Sequence, residues 1–343
     1  MRIALDAMGG DFAPQNEVAG AVKALAKDPN IQIVLVGNKE KITFELAKYG
    51  DIKNVEIVHA SDVVTMNDNP VQVLKEKKDS SLVVSIKLLR ENKVDAFVSA
   101  GNTGAVLAAS IFNLGRIKNV ERPAIVAIFP TLRKPLVILD IGANVDCKPK
   151  HLLQFAKMGS IFSEKILGVD NPIVKLLNIG EEEEKGNELT LQTYQLLKKS
   201  KDLNFCGNIE PKHVLDGDID VVVCDGFIGN VLLKFGEGAT NTIFKMIRET
   251  VKKNLLATIG AILMLPVFKQ LKKKMDYDEF GGTLLLGLKK IVIIAHGAAS
   301  PKALCNAILE AKKVNTQRVI EKTEEVMSRD DSEAVVSART GEA

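Results

Sequence analysis

The sequence predicts an α/β protein built on a largely parallel sheet with helices on both faces. Three observations point there. Short apolar runs rich in β-branched residues recur along the chain. Most of them are continuous rather than alternating, as strands buried on both faces are. Most are also followed by a glycine-containing turn and a helix-like stretch. The clearest strands are Ile3–Leu5, Ile31–Val36, Ala96–Ser99, Leu136–Leu139, Ile173–Leu177, Val221–Val223 and Ile291–Ala295. Between them Gln15–Ala26, Asn187–Lys199 and Pro301–Met327 carry helical patterns, and strand alternating with helix favours a parallel sheet. No fixed-period repeat is present. Residues 1–327 read as a single α/β domain, and Ser328–Ala343 as a small, polar tail that contributes little to the fold.

Composition narrows the function. The chain has 343 residues, the size of one large domain or two modest ones. With 46% hydrophobic and 26% charged residues it can bury a sizeable core, and wholesale disorder is excluded. Its 46 basic and 43 acidic residues give a net charge of +3, too balanced for a nucleic-acid binder of the usual basic kind. Cys147, Cys206, Cys224 and Cys305 are far apart with no C-x-x-C, so neither zinc pairing nor a disulfide framework is indicated. An acidic residue as early as Asp6 is unlike a secretory leader, and no apolar run reaches the ~18 residues of a spanning helix. The expectation is a cytoplasmic globular protein.

The turns after the strands are unusual in kind. They are Asp6–Asp11 (DAMGGD), Ala100–Gly104 (AGNTG), Asp140–Asp146 (DIGANVD), Gly180–Asn187 (GEEEEKGN), Asp225–Asn230 (DGFIGN) and His296–Ser300 (HGAAS). In an open parallel sheet such turns share one edge, where ligands bind. Glycine lets backbone amides approach an anion, and the following helix N-terminus carries partial positive charge. Four of the six turns also contain Asn, a neutral donor and acceptor. The expected ligand is phosphate-like or an oxyanion.

Much familiar chemistry is missing. There is no G-x-x-x-x-G-K-[ST] loop, no G-x-G-x-x-G after the first strand, no H-E-x-x-H and no G-x-S-x-G. Cys224 ends an apolar strand and reads as a small buried hydrophobe rather than an acyl carrier. Asp6, Asp11, Asp140, Asp146 and Asp225 could gather around a divalent cation, but helix capping and backbone binding are favoured.

The turn motifs resemble those of the PlsX family, the acyl-acyl carrier protein:phosphate acyltransferases of bacterial phospholipid synthesis. The resemblance rests on ALDAMGGDFAP (4–14), TMNDNPVQVLKEKKDSSL (65–82), VSAGNTGA (98–105), DIGANVDCKP (140–149), NIGEEEEKGNE (178–188), VVVCDGFIGN (221–230) and YDEFGG…LLG…VIIAHGAAS (277–300). It implies a Rossmann-like α/β/α sandwich related to isocitrate dehydrogenase-like and phosphotransacetylase-like folds, a homodimer, and no cofactor or metal. The implied partners are acyl carrier protein, inorganic phosphate and, downstream, a glycerol-3-phosphate acyltransferase that consumes the acyl phosphate. Related readings are a phosphotransacylase using acyl-CoA, an NAD- and metal-dependent decarboxylating dehydrogenase, and a membrane-associated scaffold.

That reaction suits these residues. Phosphate is already anionic at neutral pH and the leaving thiol has a reference pKa of roughly 8.5, so preorganised donors matter more than a strong base or a covalent nucleophile. Lys185 is the candidate cation, with a lysine paired to its preceding glutamates as the competing reading. Asn230 is the candidate donor to the thioester oxygen, with an ordinary helix cap as the competitor. Gly101, Asn102, Thr103 and Gly104 form the expected phosphate cradle, backed by Gly9, Gly10, Asp11, Asn144, Asp225 and Gly229. His296 is a candidate contact to phosphate or the pantetheine arm, though a lone histidine after a strand is more often structural.

One segment is unlike a soluble core. Leu255–Phe268 (LLATIGAILMLPVF) has no charge, while residues 245–274 hold eight basic residues and one acidic. A block this short cannot span a bilayer as a helix, but a lysine-flanked tip can sit at an anionic interface. The expectation is a helical hairpin over about 238–280 that dimerises along its stem and touches membrane at Leu255, Leu256, Ile259, Ile262, Leu263 and Leu265, giving peripheral attachment to the inner face of the cell membrane. The acidic carrier protein is expected on Arg116, Lys118, Arg122, Arg133 and Lys134, or on the hairpin lysines.

Overall fold

The structure, a computed structural model, describes residues 1–274 and 281–340, with side chains at all of these but 255, 272–274 and 330–340. Its strands are β1 (Arg2–Asp6), β2 (Gln32–Gly37), β3 (Val55–His59), β4 (Ala96–Ser99), β5 (Ala124–Phe129), β6 (Leu136–Leu139), β7 (Ile173–Leu177), β8 (Asn204–Ile209), β9 (Val221–Val223), β10 (Thr283–Leu286) and β11 (Ile291–Ile294). Its helices are α1 (Gln15–Lys27), α2 (Lys39–Leu46), α3 (Val73–Glu76), α4 (Ser81–Arg90), α5 (Thr103–Leu114), α6 (Pro149–Phe162), α7 (Glu188–Lys199), α8 (Gly226–Val251), α9 (Leu255–Leu263), α10 (Leu265–Lys274), α11 (Pro301–Thr316) and α12 (Val319–Thr340). The strands form one 11-stranded sheet in the order β3-β2-β1-β4-β11-β10-β5-β6-β9-β7-β8.

Successive residues of a strand point to opposite faces, and here both faces are covered. Ile3, Leu5, Leu35, Val98 and Val221 pack with Val18 of α1, Phe155 of α6 and Leu304 of α11. Ala4, Val34, Phe97, Ile138 and Val222 pack with Leu82 and Ile86 of α4 and Val106 of α5. That double burial is why these strands read as unbroken apolar runs.

Four strands add to the seven expected. β3 (VEIVH) and β8 (NFCGNI) are the two outermost, only partly buried and accordingly mixed in polarity. β10 (TLLL) is leucine-rich and carries a weak strand signal. β5 (AIVAIF) is legible by the same rule as the others. The expected helix Pro301–Met327 is instead two, broken where Arg318 takes a φ of 54°. α12 then runs to Thr340 through most of the stretch read as a polar tail, and residues 341–343 lie outside those described.

The main correction concerns polarity. β3, β2, β1, β4 and β11 are mutually parallel, but β10 runs against both β11 and β5, and β5 runs against β6. β9, β7 and β8 follow β6 in parallel. The sheet is therefore two parallel blocks of opposite sense, and the six polar turns do not share one edge. Those after β1, β4 and β11 end one block; those after β6, β7 and β9 end the other.

α8, with 26 residues, is about 39 Å long, and in it only Gly226 and Gly229 are buried. With α9 and α10 it makes a hairpin longer than the one expected; residues 275–280 lie outside those described.

One close approach seats α1 on α11. A Cβ on Gly20 would stand 2.6 Å from Leu304 Cβ and 3.2 Å from Pro301 O. Neither neighbour is the free end of a flexible side chain, so Gly20→Ala is expected to cost about 1–3 kcal/mol. The measurement is a lowered denaturant midpoint at unchanged slope; a wild-type midpoint would show that the two helices separate freely.

Candidate active site

At the end of β6 the chain turns through Asp140–Asp146 around a buried carboxylate. Asp140 Oδ1 accepts from the amides of Ile125 (3.0 Å), Gly142 (3.2 Å) and Ala143 (3.0 Å). Its Oδ2 accepts from Asn144 N (2.7 Å) and Asn144 Nδ2 (2.9 Å). Burial pushes the Asp140 pKa up while these donors favour the charged form. The turn after β9 docks onto this one. Gly226 N donates to Asn144 O at 2.7 Å, and Gly229 lies so close to Asp140 O that no Cβ fits.

Asp225 caps α8, its Oδ1 accepting from Ile228 N at 2.8 Å. Asn230 is thereby relieved of the capping role that competed for it and lies inside the helix. Its Nδ2 sits over Gly142, 3.0 Å from where a Cβ would stand, and has no hydrogen-bond partner among the described residues.

β7 lies parallel to β9 with Leu176 opposite Val223, so the Lys185 turn leaves the sheet beside the Asp225 turn. The four glutamates before Lys185 do not neutralise it. Glu183 is held by Lys198 Nζ (2.8 Å) and Gln195 Nε2 (2.7 Å) of α7. The Lys185 ammonium is exposed and has no partner among the described residues.

The other block of turns is built around acids. Asp6 Oδ1 accepts from Met8 N (3.1 Å), Asp6 Oδ2 accepts from Ser99 Oγ (2.8 Å), and Ser99 Oγ accepts from Gly101 N (3.0 Å). The Gly9 amide also binds Asp6, and the Gly10 amide binds Glu17. Glu17 is 1% exposed, and its Oε2 has no partner. Burial first, then the charges of Asp6 and Asp11, raise its pKa to about 7. The amides of Gly9, Gly10 and Gly101 thus bind the protein's own polar groups. Asn102 is also engaged: Oδ1 accepts from Ala105 N (3.0 Å) at the start of α5, and Nδ2 donates to Met66 O (3.1 Å). Asp11 N donates to Gly297 O at 2.8 Å, joining the turns after β1 and β11. Thr103 and His296 are exposed, and His296 Nδ1 accepts from Ala298 N at 3.2 Å.

The structure therefore groups Asn144, Asp225, Gly229 and Asn230 with the Lys185 turn on the next strand. It groups Gly9, Gly10, Asp11, Gly101, Asn102, Thr103, Gly104 and His296 separately. Asp6, Asp140 and Asp225 all bind backbone amides, the role favoured for them. Cys224 is buried, and burial followed by Asp140 and Asp225 keeps its thiol well above the ordinary value. Glu17 escaped the sequence reading, although its spacing from Ala21 and Ala24 places it on the buried stripe of α1. Among the carrier-docking candidates, Arg133 pairs with Asp218, Lys134 with Asp220, and Arg116 donates to Glu121 O.

Glu17 makes stability depend on pH. Its folded pKa of about 7 lies above the ordinary 4.5, so between these values the unfolded chain releases the proton first and stability falls as pH rises. Glu17→Gln is expected to raise stability by about 1–3 kcal/mol near pH 8 and by little near pH 5. Denaturant titrations at both values check this; an equal effect at each would overturn it.

Known proteins share this architecture. Residues 1–322 match the family described as fatty acid synthesis protein. A phosphate acyltransferase of Dictyoglomus turgidum is 51% identical over 316 residues, covering 92% of this chain and 94% of that one. Among solved structures, a phosphotransacetylase from Streptococcus pyogenes superposes with a TM-score of 0.59 at 16% identity over 94% of each chain. A 4-hydroxythreonine-4-phosphate dehydrogenase from Klebsiella pneumoniae gives 0.52 at 12% identity, covering 92% of this chain and 97% of that one. The fold is thus the phosphotransacetylase-like one expected, and by its match along nearly its whole length the chain belongs to the fatty acid synthesis protein family of PlsX acyltransferases.

Proposed function

We propose that this enzyme transfers a fatty acyl group from acyl-[acyl carrier protein] to inorganic phosphate, giving acyl phosphate for phospholipid synthesis and free carrier protein. One observation supports the residue assignment: the segments that carry Lys185 and Asn230 follow adjacent parallel strands at the same end, and neither side chain has a partner among the described residues. A phosphate oxygen attacks the thioester carbon and a C–O bond forms, moving electrons onto the carbonyl oxygen. They return as the C–S bond breaks, and the pantetheine sulfur leaves as thiolate and is protonated by solvent. Lys185 holds the phosphate, and Asn230 Nδ2 donates to the developing oxyanion.

Lys185→Ala and Asn230→Ala are each expected to lower kcat/KM about 10²–10³-fold without loss of fold. Mass spectrometry of acyl phosphate, with the same acyl chain on carrier protein and on CoA in parallel, checks both the residues and the thioester handle. Folded variants with wild-type rates would remove both assignments.

The hairpin supports the remaining partners. Phe227, Val231, Phe235, Ile243 and Ile247 recur at helical spacing along α8 and are exposed, Phe235 to 73%, a stripe suited to a second copy of this chain. Beyond it Leu256 and Leu263 are 79% and 77% exposed, with Ile259, Ile262 and Leu265 also open; the side chain of Leu255 lies outside those described. Exposed Lys252, Lys253 and Lys269 flank them, and among the described residues no helix is long and apolar enough to cross a membrane. We read this tip as the membrane contact, delivering acyl phosphate to a glycerol-3-phosphate acyltransferase at the cytoplasmic face, with the lysines also available to the acidic carrier protein. Leu263→Asp with Leu265→Asp should abolish flotation with anionic liposomes while leaving the dimer intact in light scattering. Unchanged flotation would exclude the tip.

A further inference from the structure

The turn that carries Lys185 is fastened from beneath by two buried amides. Asn178, just past β7, donates from Nδ2 to Lys185 O at 2.9 Å, and its Oδ1 accepts from Ile179 N at 2.9 Å. Asn208, near the end of the neighbouring strand β8, donates from Nδ2 to Glu182 O at 2.8 Å. Within the turn Lys185 N donates to Glu182 O at 3.2 Å, so both anchored carbonyls belong to one hydrogen-bonded unit. Gly186 closes it with a φ of +110°, and a Cβ there would stand 2.5 Å from Asn178 Oδ1. The Asn187–Thr190 capping box fixes the far end.

We propose that Asn178 and Asn208 are positioning residues for the transfer reaction, holding the backbone at Glu182 and Lys185 so that the Lys185 ammonium meets the phosphate without further ordering. The inference rests on the reading of Lys185 as the phosphate-binding cation. Every anchor grips main chain, and none touches the ammonium. Of the neighbouring side chains, Glu183 is drawn away onto α7. Freezing backbone costs conformational entropy, which these anchors settle at folding rather than during the reaction.

Stability alone does not account for Asn208. It is 2% exposed, and its Oδ1 has no partner among the described residues, a desolvation cost that an apolar side chain would avoid. What an apolar side chain could not do is hold Glu182 O.

The test is a double-mutant cycle. Asn178→Asp removes the donor at nearly constant shape, and Asn208→Ala removes the other anchor. Each is made in the wild-type and Lys185→Ala proteins, with unfolding midpoints recorded. In the wild-type background each should lower kcat/KM for phosphate about 10–100-fold; beside Lys185→Ala it should change the residual rate less than about 2-fold. Phosphate should also slow amine-reactive labelling of Lys185 in the wild type and fail to do so in Asn178→Asp, a readout that survives even where activity is too low to measure. Equal losses in both backgrounds, or full activity and phosphate protection in the anchor variants, would overturn the proposal. A fully active Lys185→Ala protein would instead fail the Lys185 reading itself.

Discussion

The carboxylate of Asp140 is the interaction on which the candidate site depends. It lies where β5, β6 and α8 meet, and five N–H groups from the start of β5 and its own turn converge on it. A buried carboxylate without donors would be costly, so the turn has little freedom to open while Asp140 stays charged. The conformation it imposes places Asn144 O against the first amide of α8 and Gly142 beneath Asn230. Capping by Asp225 then leaves the Asn230 side-chain amide without a hydrogen-bond partner among the described residues.

The two blocks of turns differ electrostatically. Around β1, β4 and β11 the turns centre on two buried carboxyls, Asp6 and Glu17, and burial raises the pKa of both. Around β6, β7 and β9 Asp140 and Asp225 accept from backbone amides and Glu183 is drawn onto α7, while the Lys185 ammonium has no partner among the described residues.

The hairpin follows a different logic. α8 carries Asn230 near its start and runs about 39 Å toward the apolar segment of α9. Its exposed apolar stripe has no covering element within the described chain, which is the physical basis for reading a second copy against it.

Much of this was legible in the residues themselves. Doubly buried strands announce themselves as unbroken apolar runs, and turns such as DIGANVD and DGFIGN show where backbone must approach backbone, because local sterics and burial are written in adjacent residues. The edge strand β8 was not legible, since partial exposure lets NFCGNI be polar. Nor were the roles of Asn178, Asn208 and Glu17, because a buried polar side chain has the same letter as an exposed one and its partners lie on other strands. The reversal of sheet sense at β10 and β5 is also invisible locally: a strand's apolar pattern is the same whichever way its neighbour runs. Sequence alone therefore determined the family, the layers and the candidate residues. Only the tertiary structure decided which turns share a block, whose amides are already bound, and that Lys185 and Asn230 have no side-chain partner among the described residues, because those outcomes depend on pairings between segments far apart in the chain.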